Sequence, residues 1–146
     1  MSALGDDDFV DDEHRRRTPG QRAGDAAEEL IATRLAAAGW TILGRNVRVG
    51  RGELDIVAVD PGPPPGLAVV EVRWRRDRGF GLPEETVDWR KRRHVRLAAL
   101  ALIERGLPGG RALPALPLRF DLIVVEPPLR AGGEPRIRHH RNAVEG

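Results

Sequence analysis

The sequence contains no cysteine. Disulfide frameworks and thiolate metal sites are therefore excluded, and this absence fits a protein of a reducing compartment. No apolar stretch reaches the roughly 20 residues needed to cross a bilayer, and the first ten residues lack the basic start and apolar run of a secretory signal. We expect a cytoplasmic protein with no membrane partner.

Nucleotide-binding glycine loops of the Walker or dinucleotide type are also missing. Lysine is nearly absent, since Lys91 is the single lysine among the 24 lysine and arginine residues. So strong a preference for arginine weakens any one arginine as evidence of function.

The charge is small in total but unevenly distributed. The formal net charge is +2, while residues 6–13 carry six acids, namely Asp6, Asp7, Asp8, Asp11, Asp12 and Glu13. The remaining chain is therefore considerably more basic than the total suggests, which favours a polyanionic partner such as nucleic acid. A solvated basic surface that simply reflects an arginine-rich composition is the alternative.

A chain of 146 residues is long enough for one domain with a buried core. Residues 1–17 have too few apolar groups to offset the entropy of ordering, so we expect a disordered charged leader followed by a single domain over 18–146. Thr18, Pro19 and Gln21 form a capping sequence that predicts a helix from this point to Gly39, with Trp40 packing just beyond.

Strand-like runs follow at residues 41–49, 53–59 and 67–73. The second and third are apolar on both alternating sets, as strands covered on both faces are. The proline-rich segment 61–66 makes these two runs a hairpin with a stiff loop.

A second helix is expected after a cap at Asp88, and Gly106 and Pro108 end it. Its predicted buried stripe is Val95, Ala98, Ala99, Leu102 and Ile103. Residues 119–125 are a further strand, and 136–140 an edge strand. The order of elements predicts an α/β (α+β) fold with a mixed central sheet.

Two acids interrupt the apolar strands, Asp55 and Glu71. A charge in such a position costs several kcal/mol unless something compensates it. With Pro63 as the hairpin midpoint, both acids lie eight residues from it and face one another. Facing carboxylates about 5 Å apart repel unless a cation lies between them. Because hard divalent ions prefer oxygen ligands, Asp55 and Glu71 are predicted ligands of Mg²⁺ or Mn²⁺.

Alternation along the strands places Arg73 on the face of Glu71 and Glu53 on that of Asp55. A cation beside the metal can steady the charge that builds on a phosphate when water attacks it. Glu28 in the first helix is a further candidate acid. The alternative is an ion pair of Arg73 with either strand acid and no metal at all.

An ordered series of motifs resembles the YraN-type family of uncharacterised bacterial proteins, from about Gly20 to Val144. The motifs are Gly24-x-x-Ala27-Glu28, Gly39-Trp40, Arg45-Asn46-Val47-Arg48, Arg51-Gly52-Glu53-Leu54-Asp55, Val70-Glu71-Val72-Arg73, Phe80-Gly81, Lys91-x-Arg93 and Phe120-Asp121. That family is placed by similarity among PD-(D/E)XK, restriction endonuclease-like folds, near archaeal Holliday junction resolvases.

The resemblance implies a metal-dependent endonuclease that acts on DNA, on branched or flap structures in repair or recombination, and that forms a homodimer. It matches Asp55 to the metal-binding aspartate and Glu28 to the first-helix glutamate. It matches Glu71 to the acid of the third-strand motif, with the backbone carbonyl of Val72 as a further metal ligand.

Arg73 stands where the superfamily has a lysine that is thought to activate the attacking water. Arginine keeps the positive charge but does not deprotonate in proteins. The alternative function is therefore a nucleic-acid-binding module of the same fold with an impaired centre.

Basic residues at the start of the second helix oppose its dipole, so contacts to phosphates explain them better than helix stability does. The predicted nucleic-acid contacts are Arg51, Arg90, Lys91, Arg92 and Arg93. A solvated helix end is one alternative, and a helix that meets an acidic partner or the chain's own leader is another. His139 and His140 are adjacent on a strand, so we expect them at the surface without a shared metal.

Overall fold

The structure is a computed structural model that describes residues 18–50, 52–75 and 89–142, with the backbone alone for 89–92. Its elements are α1 (Pro19–Ala37), β1 (Thr41–Val49), β2 (Gly52–Asp60), β3 (Gly66–Trp74), α2 (Trp89–Arg105), β4 (Leu118–Glu126) and β5 (Arg136–His140). This order confirms the predicted α/β architecture and is consistent with a restriction endonuclease-like fold. Neither described helix combines the length and apolar content needed to cross a bilayer.

Helix α1 begins at the predicted capping box. Thr18 Oγ1 accepts the Gln21 N–H at 3.1 Å, and Gln21 Oε1 accepts the Thr18 N–H at 2.8 Å, so two otherwise unpaired backbone donors are satisfied. Beyond the helix, Trp40 is buried in the core as predicted.

The sheet has the order β1-β2-β3-β4-β5. All neighbours are antiparallel except β3 and β4, which run parallel because α2 crosses over between them. One core cluster joins α1 to the sheet and includes Ile31, Leu35, Trp40, Ile56, Val70 and Ile123. A second joins α2 to the sheet and includes Leu54, Val57, Val69, Ala98, Ala99 and Leu102. The prediction that β2 and β3 are covered on both faces is confirmed.

The register of the β2–β3 hairpin runs from Ile56 opposite Val70 to Asp60 opposite Gly66. Every pair is centred on Pro63, which confirms the predicted midpoint. Asp55 and Glu71 are the next residues beyond its last pair.

Helix α2 differs from the prediction at Ile103, which is 51% exposed. A Cβ atom on Gly52 would lie only 2.7 Å from Ala98 Cβ, so the start of β2 rests against this side of the helix. Ile103 follows Ala98 by five residues, about 140° around the helix, and therefore turns away from the sheet. The predicted cap at Asp88 and the predicted leader lie outside the described residues.

Candidate functional site

The side chains of strand β2 stop alternating regularly between the two faces of the sheet at Asp55. Leu54 packs in the cluster beneath α2, whereas Ile56 packs in the cluster beneath α1. Residues two apart on a regular strand share a face, so the alternation is broken between them. On β1, Asn46 lies between the pairs formed by Arg45 with Ile56 and by Val47 with Leu54, and its φ is 50°. The irregularity thus spans both strands.

The Asp55 carboxylate is held beside β3. The described pairing of β2 with β3 ends at Ile56 and Val70, and beyond it the backbone N–H of Val72 donates to Asp55 Oδ2 at 2.9 Å. A side-chain acceptor thus takes the place of a strand carbonyl, which fixes the aspartate next to the residue that follows Glu71.

Asp55 and Glu71 line one small cavity of about 30 Å³, with Val95 of α2 on its wall; the remaining lining residues are Glu53, Leu54, Val69 and Val70. A space of this size has room for one or two water-sized species. Glu71 is 7% exposed. The structure therefore brings together the two acids that the sequence pairs.

Arg73 follows Glu71 on the same face of β3. Arg73 Nε lies 3.5 Å from Glu71 Oε1, and both side chains are largely buried. The ion pair that the sequence left open as an alternative therefore forms with Glu71. Its separation is longer than the 2.7–2.9 Å of a close charge-assisted hydrogen bond.

Glu28 is the acid that α1 turns toward the sheet: it is buried, whereas its neighbour Glu29 is exposed. Burial raises the pKa of Glu28 to about 7, and the negative charge of Asp55 adds to this effect while Arg45 opposes it. A carboxyl group that titrates near neutral pH can take up or release a proton during a reaction.

Asn46 connects Glu28 to the first strands. With its amide nitrogen facing the carboxylates, it donates to Glu28 Oε1 at 2.8 Å and to Glu53 Oε1 at 3.3 Å. We assign this amide orientation because both neighbouring oxygens are acceptors. The sequence analysis assigned Asn46 no role, although an asparagine in mid-strand is a signal, since asparagine tolerates the left-handed conformation.

The oxygen donors near the cavity suit a hard divalent cation. The Asp55 and Glu71 carboxylates and the Val72 carbonyl are the groups that could hold it. Within the described part of the chain, no three acidic or histidine side chains form a protein-only metal cage. Because Mg²⁺ commonly uses one or two carboxylates and keeps several waters, this donor set fits a largely hydrated ion.

The predicted nucleic-acid contacts are placed in part. Arg93 is exposed on α2, and residues 90–92 lie in the first turn of that helix. The first turn of α2 directly precedes the turn that contributes Val95 to the cavity lining. The side chains of 90–92 and the whole of Arg51 lie outside the described residues.

A second polar cluster, nearer the proline loop, was not predicted. Asp121 is 1% exposed and accepts a hydrogen bond from Arg119 Nε at 2.8 Å, and His139 Nε2 lies 2.8 Å from its other oxygen. Arg119 also donates to Asp60 Oδ2 at 2.9 Å. The expectation that His139 lies at the surface is wrong, because it is half-buried between this carboxylate and the ring of Trp40.

Comparison with known proteins points to one family. The sequence model of the uncharacterised protein family UPF0102 matches residues 27–125. A UPF0102 protein of Symbiobacterium thermophilum is 41% identical over 119 residues, which cover 81% of this chain and 90% of the relative. One of Xanthomonas axonopodis is 41% identical over 119 residues (82% and 87%), and one of Pelobacter propionicus 39% over 130 residues (88% and 86%).

Proposed function

The chain belongs to the uncharacterised protein family UPF0102, and we propose that it is an endonuclease-like protein of the PD-(D/E)XK type. Membership of the family confirms the resemblance to the YraN-type proteins. The proposed activity is divalent-metal-dependent hydrolysis of DNA phosphodiesters, with branched or flap structures as the first substrates to test.

One observation carries the proposal: Asp55 and Glu71 are the residues next to the last β2–β3 pair, and both line the same cavity. Two acids placed together among apolar strands need a compensating positive charge. The raised pKa of Glu28, caused first by burial and then by Asp55, supports the same view of a site with excess negative charge.

Mg²⁺ or Mn²⁺, held by Asp55, Glu71 and the Val72 carbonyl, would supply the charge that draws a phosphate into the site. The Val72 N–H keeps the Asp55 carboxylate in its orientation. Glu28 can accept the proton that water loses during attack, because its carboxyl titrates near neutral pH. Arg73 can offset negative charge on the phosphate but cannot take up that proton.

The basic start of α2 supplies the second part of the proposal. It precedes the cavity-lining Val95 by one helical turn, and arginine and lysine there would bind phosphates on either side of the reacting one. Binding should weaken log-linearly as salt is raised, since each phosphate contact releases counterions.

The experiment uses the full-length protein with labelled flap and four-way-junction DNA and with Mg²⁺ or Mn²⁺. We expect ion-dependent cleavage that Asp55→Asn and Glu71→Gln reduce to background while Glu29→Gln, on the exposed neighbour of Glu28, keeps it. Wild-type protein that leaves every substrate intact with both ions would overturn the enzymatic proposal.

A nucleic-acid-binding module with a disabled centre is the second candidate, and the 3.5 Å contact of Arg73 with Glu71 favours it. In that case Arg73 neutralises Glu71 in place of a metal. Arg73→Lys separates the two candidates. It should raise cleavage if the chain is a nuclease, whereas DNA binding without cleavage in either protein supports the binding module.

A further inference from the structure

Helix α2 exposes a row of large apolar side chains. Leu97, Leu100 and Ile103 are 55%, 56% and 51% exposed, and their spacing of three residues places them along one side of the helix. Among the described residues, the one other large hydrophobic side chain with such exposure is Leu129. Clustered exposed apolar groups, unlike single ones, mark an interaction surface.

The same helix is strongly basic. Its 17 residues include one acid, Glu104, and six bases, which are Arg90, Lys91, Arg92, Arg93, Arg96 and Arg105. A second copy of this helix would bring like charges together, and a DNA backbone offers little apolar surface for leucine side chains. The best occupant of the row is therefore a segment that is both acidic and apolar.

Residues 3–13 of the chain have this character. Six acids surround Phe9 and Val10, and Leu4 precedes them. Seventeen residues precede Thr18 and can span up to about 55 Å when extended, more than the diameter of a domain of this size.

The leader joins the domain at the start of α1, which packs on the opposite face of the sheet from α2. To reach α2 the segment must pass an edge of the sheet, and its extended length permits this. A tether of this length keeps a high effective concentration of the segment around the domain, so even a weak contact is populated.

We propose that residues 3–13 dock along Leu97, Leu100 and Ile103 of α2 and compete with nucleic acid for the basic start of this helix. Docking is independent of the proposed function, whereas the competition rests on it. The apolar residues would anchor the segment, and its carboxylates would occupy the positions of phosphates. Access of nucleic acid to the site would then depend on the charge density of the nucleic acid and on the salt concentration.

Docking can be tested in the full-length protein without DNA. The chain has no cysteine, so a nitroxide attached at Ala3→Cys labels one position. We expect it to reduce the methyl NMR signals of Leu97, Leu100 and Ile103 at least twofold and to leave those of Leu129 unchanged. Equal signals at all four residues would overturn the docking.

Two controls identify the occupant. Phe9→Ser with Val10→Ser should abolish the effect on the α2 methyl groups, whereas Leu129→Ser should preserve it. In a mixture, one set of chains carries the spin label and another set carries the isotope label. The α2 methyl signals of the isotope-labelled chains should then show no broadening. Broadening there as strong as within one chain would show a contact between copies and overturn the proposal.

The competition is measured by DNA binding at low salt. The Phe9→Ser, Val10→Ser variant should bind duplex DNA several-fold more tightly than wild type, with the difference disappearing at high salt. Equal affinities, with the methyl effect intact, would overturn the competition but not the docking. Absence of DNA binding in both proteins would instead count against the proposed function.

Discussion

The backbone N–H of Val72 donates to Asp55 Oδ2 at 2.9 Å. This bond links a side chain of β2 to the backbone of β3 at the point where their regular pairing ends. It holds the aspartate beside the residue that follows Glu71. The two proposed ligands are thus preorganised by strand geometry rather than by a loop.

Asp55→Asn tests the ion site without a substrate. The amide oxygen can still accept the Val72 N–H, so stability should change by less than about 1 kcal/mol. The loss of one carboxylate should weaken Mn²⁺ binding by more than about tenfold. Isothermal titration calorimetry measures this, with Glu29→Gln as the control that retains wild-type affinity. Equal affinity in the Asp55 variant would remove this residue from the site.

Glu28 should make stability depend on pH. Its pKa in the folded protein is about 7, against an ordinary 4.5, because burial and the charge of Asp55 disfavour the ionised form. The folded state therefore binds this proton more tightly than the unfolded state, and the resulting stabilisation is complete below pH 4.5 and lost as pH rises through 7.

Urea unfolding of wild type and Glu28→Gln at pH 5 and pH 8 checks this sign. We expect the wild type to lose more stability than Glu28→Gln between the two values, whereas Glu29→Gln should follow the wild type. A Glu28→Gln variant whose pH dependence matches the wild type would contradict the shifted pKa.

Asn46 should support Glu28 through its amide. Asn46→Gly keeps the left-handed backbone at φ 50° but removes the donor to Glu28, so the pKa of Glu28 should rise further. Carboxyl-carbon NMR titration measures it. Asn46→Ala removes the same donor and adds roughly 1 kcal/mol of backbone strain. A fall in the pKa of Glu28 in the glycine variant would refute the contact.

The Asp121 cluster should contribute to stability rather than to chemistry. Burial opposes ionisation of Asp121, but hydrogen bonds with His139 and Arg119 outweigh it and lower the pKa of this carboxyl to about 2. Its contribution is therefore present above an ordinary pKa of 3.8 and lost as pH falls through 2.

At neutral pH, Asp121→Asn should lower the free energy of unfolding by about 3 kcal/mol, because Arg119 would be left without its closest carboxylate. Glu134→Gln breaks the exposed ion pair with Arg34 and should cost less than 1 kcal/mol. Chemical denaturation compares them. Equal losses would show that the buried cluster contributes no more than a surface pair.

Much of the fold was predictable because its determinants are local. Thr18 and Gln21 carry the cap of α1 within four residues. The stiff proline loop centres the hairpin on Pro63, and the loop of a hairpin sets the register of both its strands. The proximity of Asp55 and Glu71 at the end of this hairpin was therefore predictable by counting residues.

Other features depend on contacts between distant segments. The break in alternation at Asp55 occurs with a left-handed residue on the neighbouring strand. Asp121 bonds to Arg119 and His139, and Arg119 also bonds to Asp60, so side chains of β2, β4 and β5 are joined. No local sequence pattern encodes these contacts, since they form only when the sheet has assembled.

The amino-acid sequence by itself determined the elements, their order, the hairpin register and the two acids that follow its last pair. The tertiary structure decided which side of α2 meets the sheet, that Arg73 contacts Glu71, and that Glu28 rather than Glu29 is buried. The physical reason is that periodicity and turn chemistry act over a few residues. Burial, by contrast, is set by the surfaces that pack against each element.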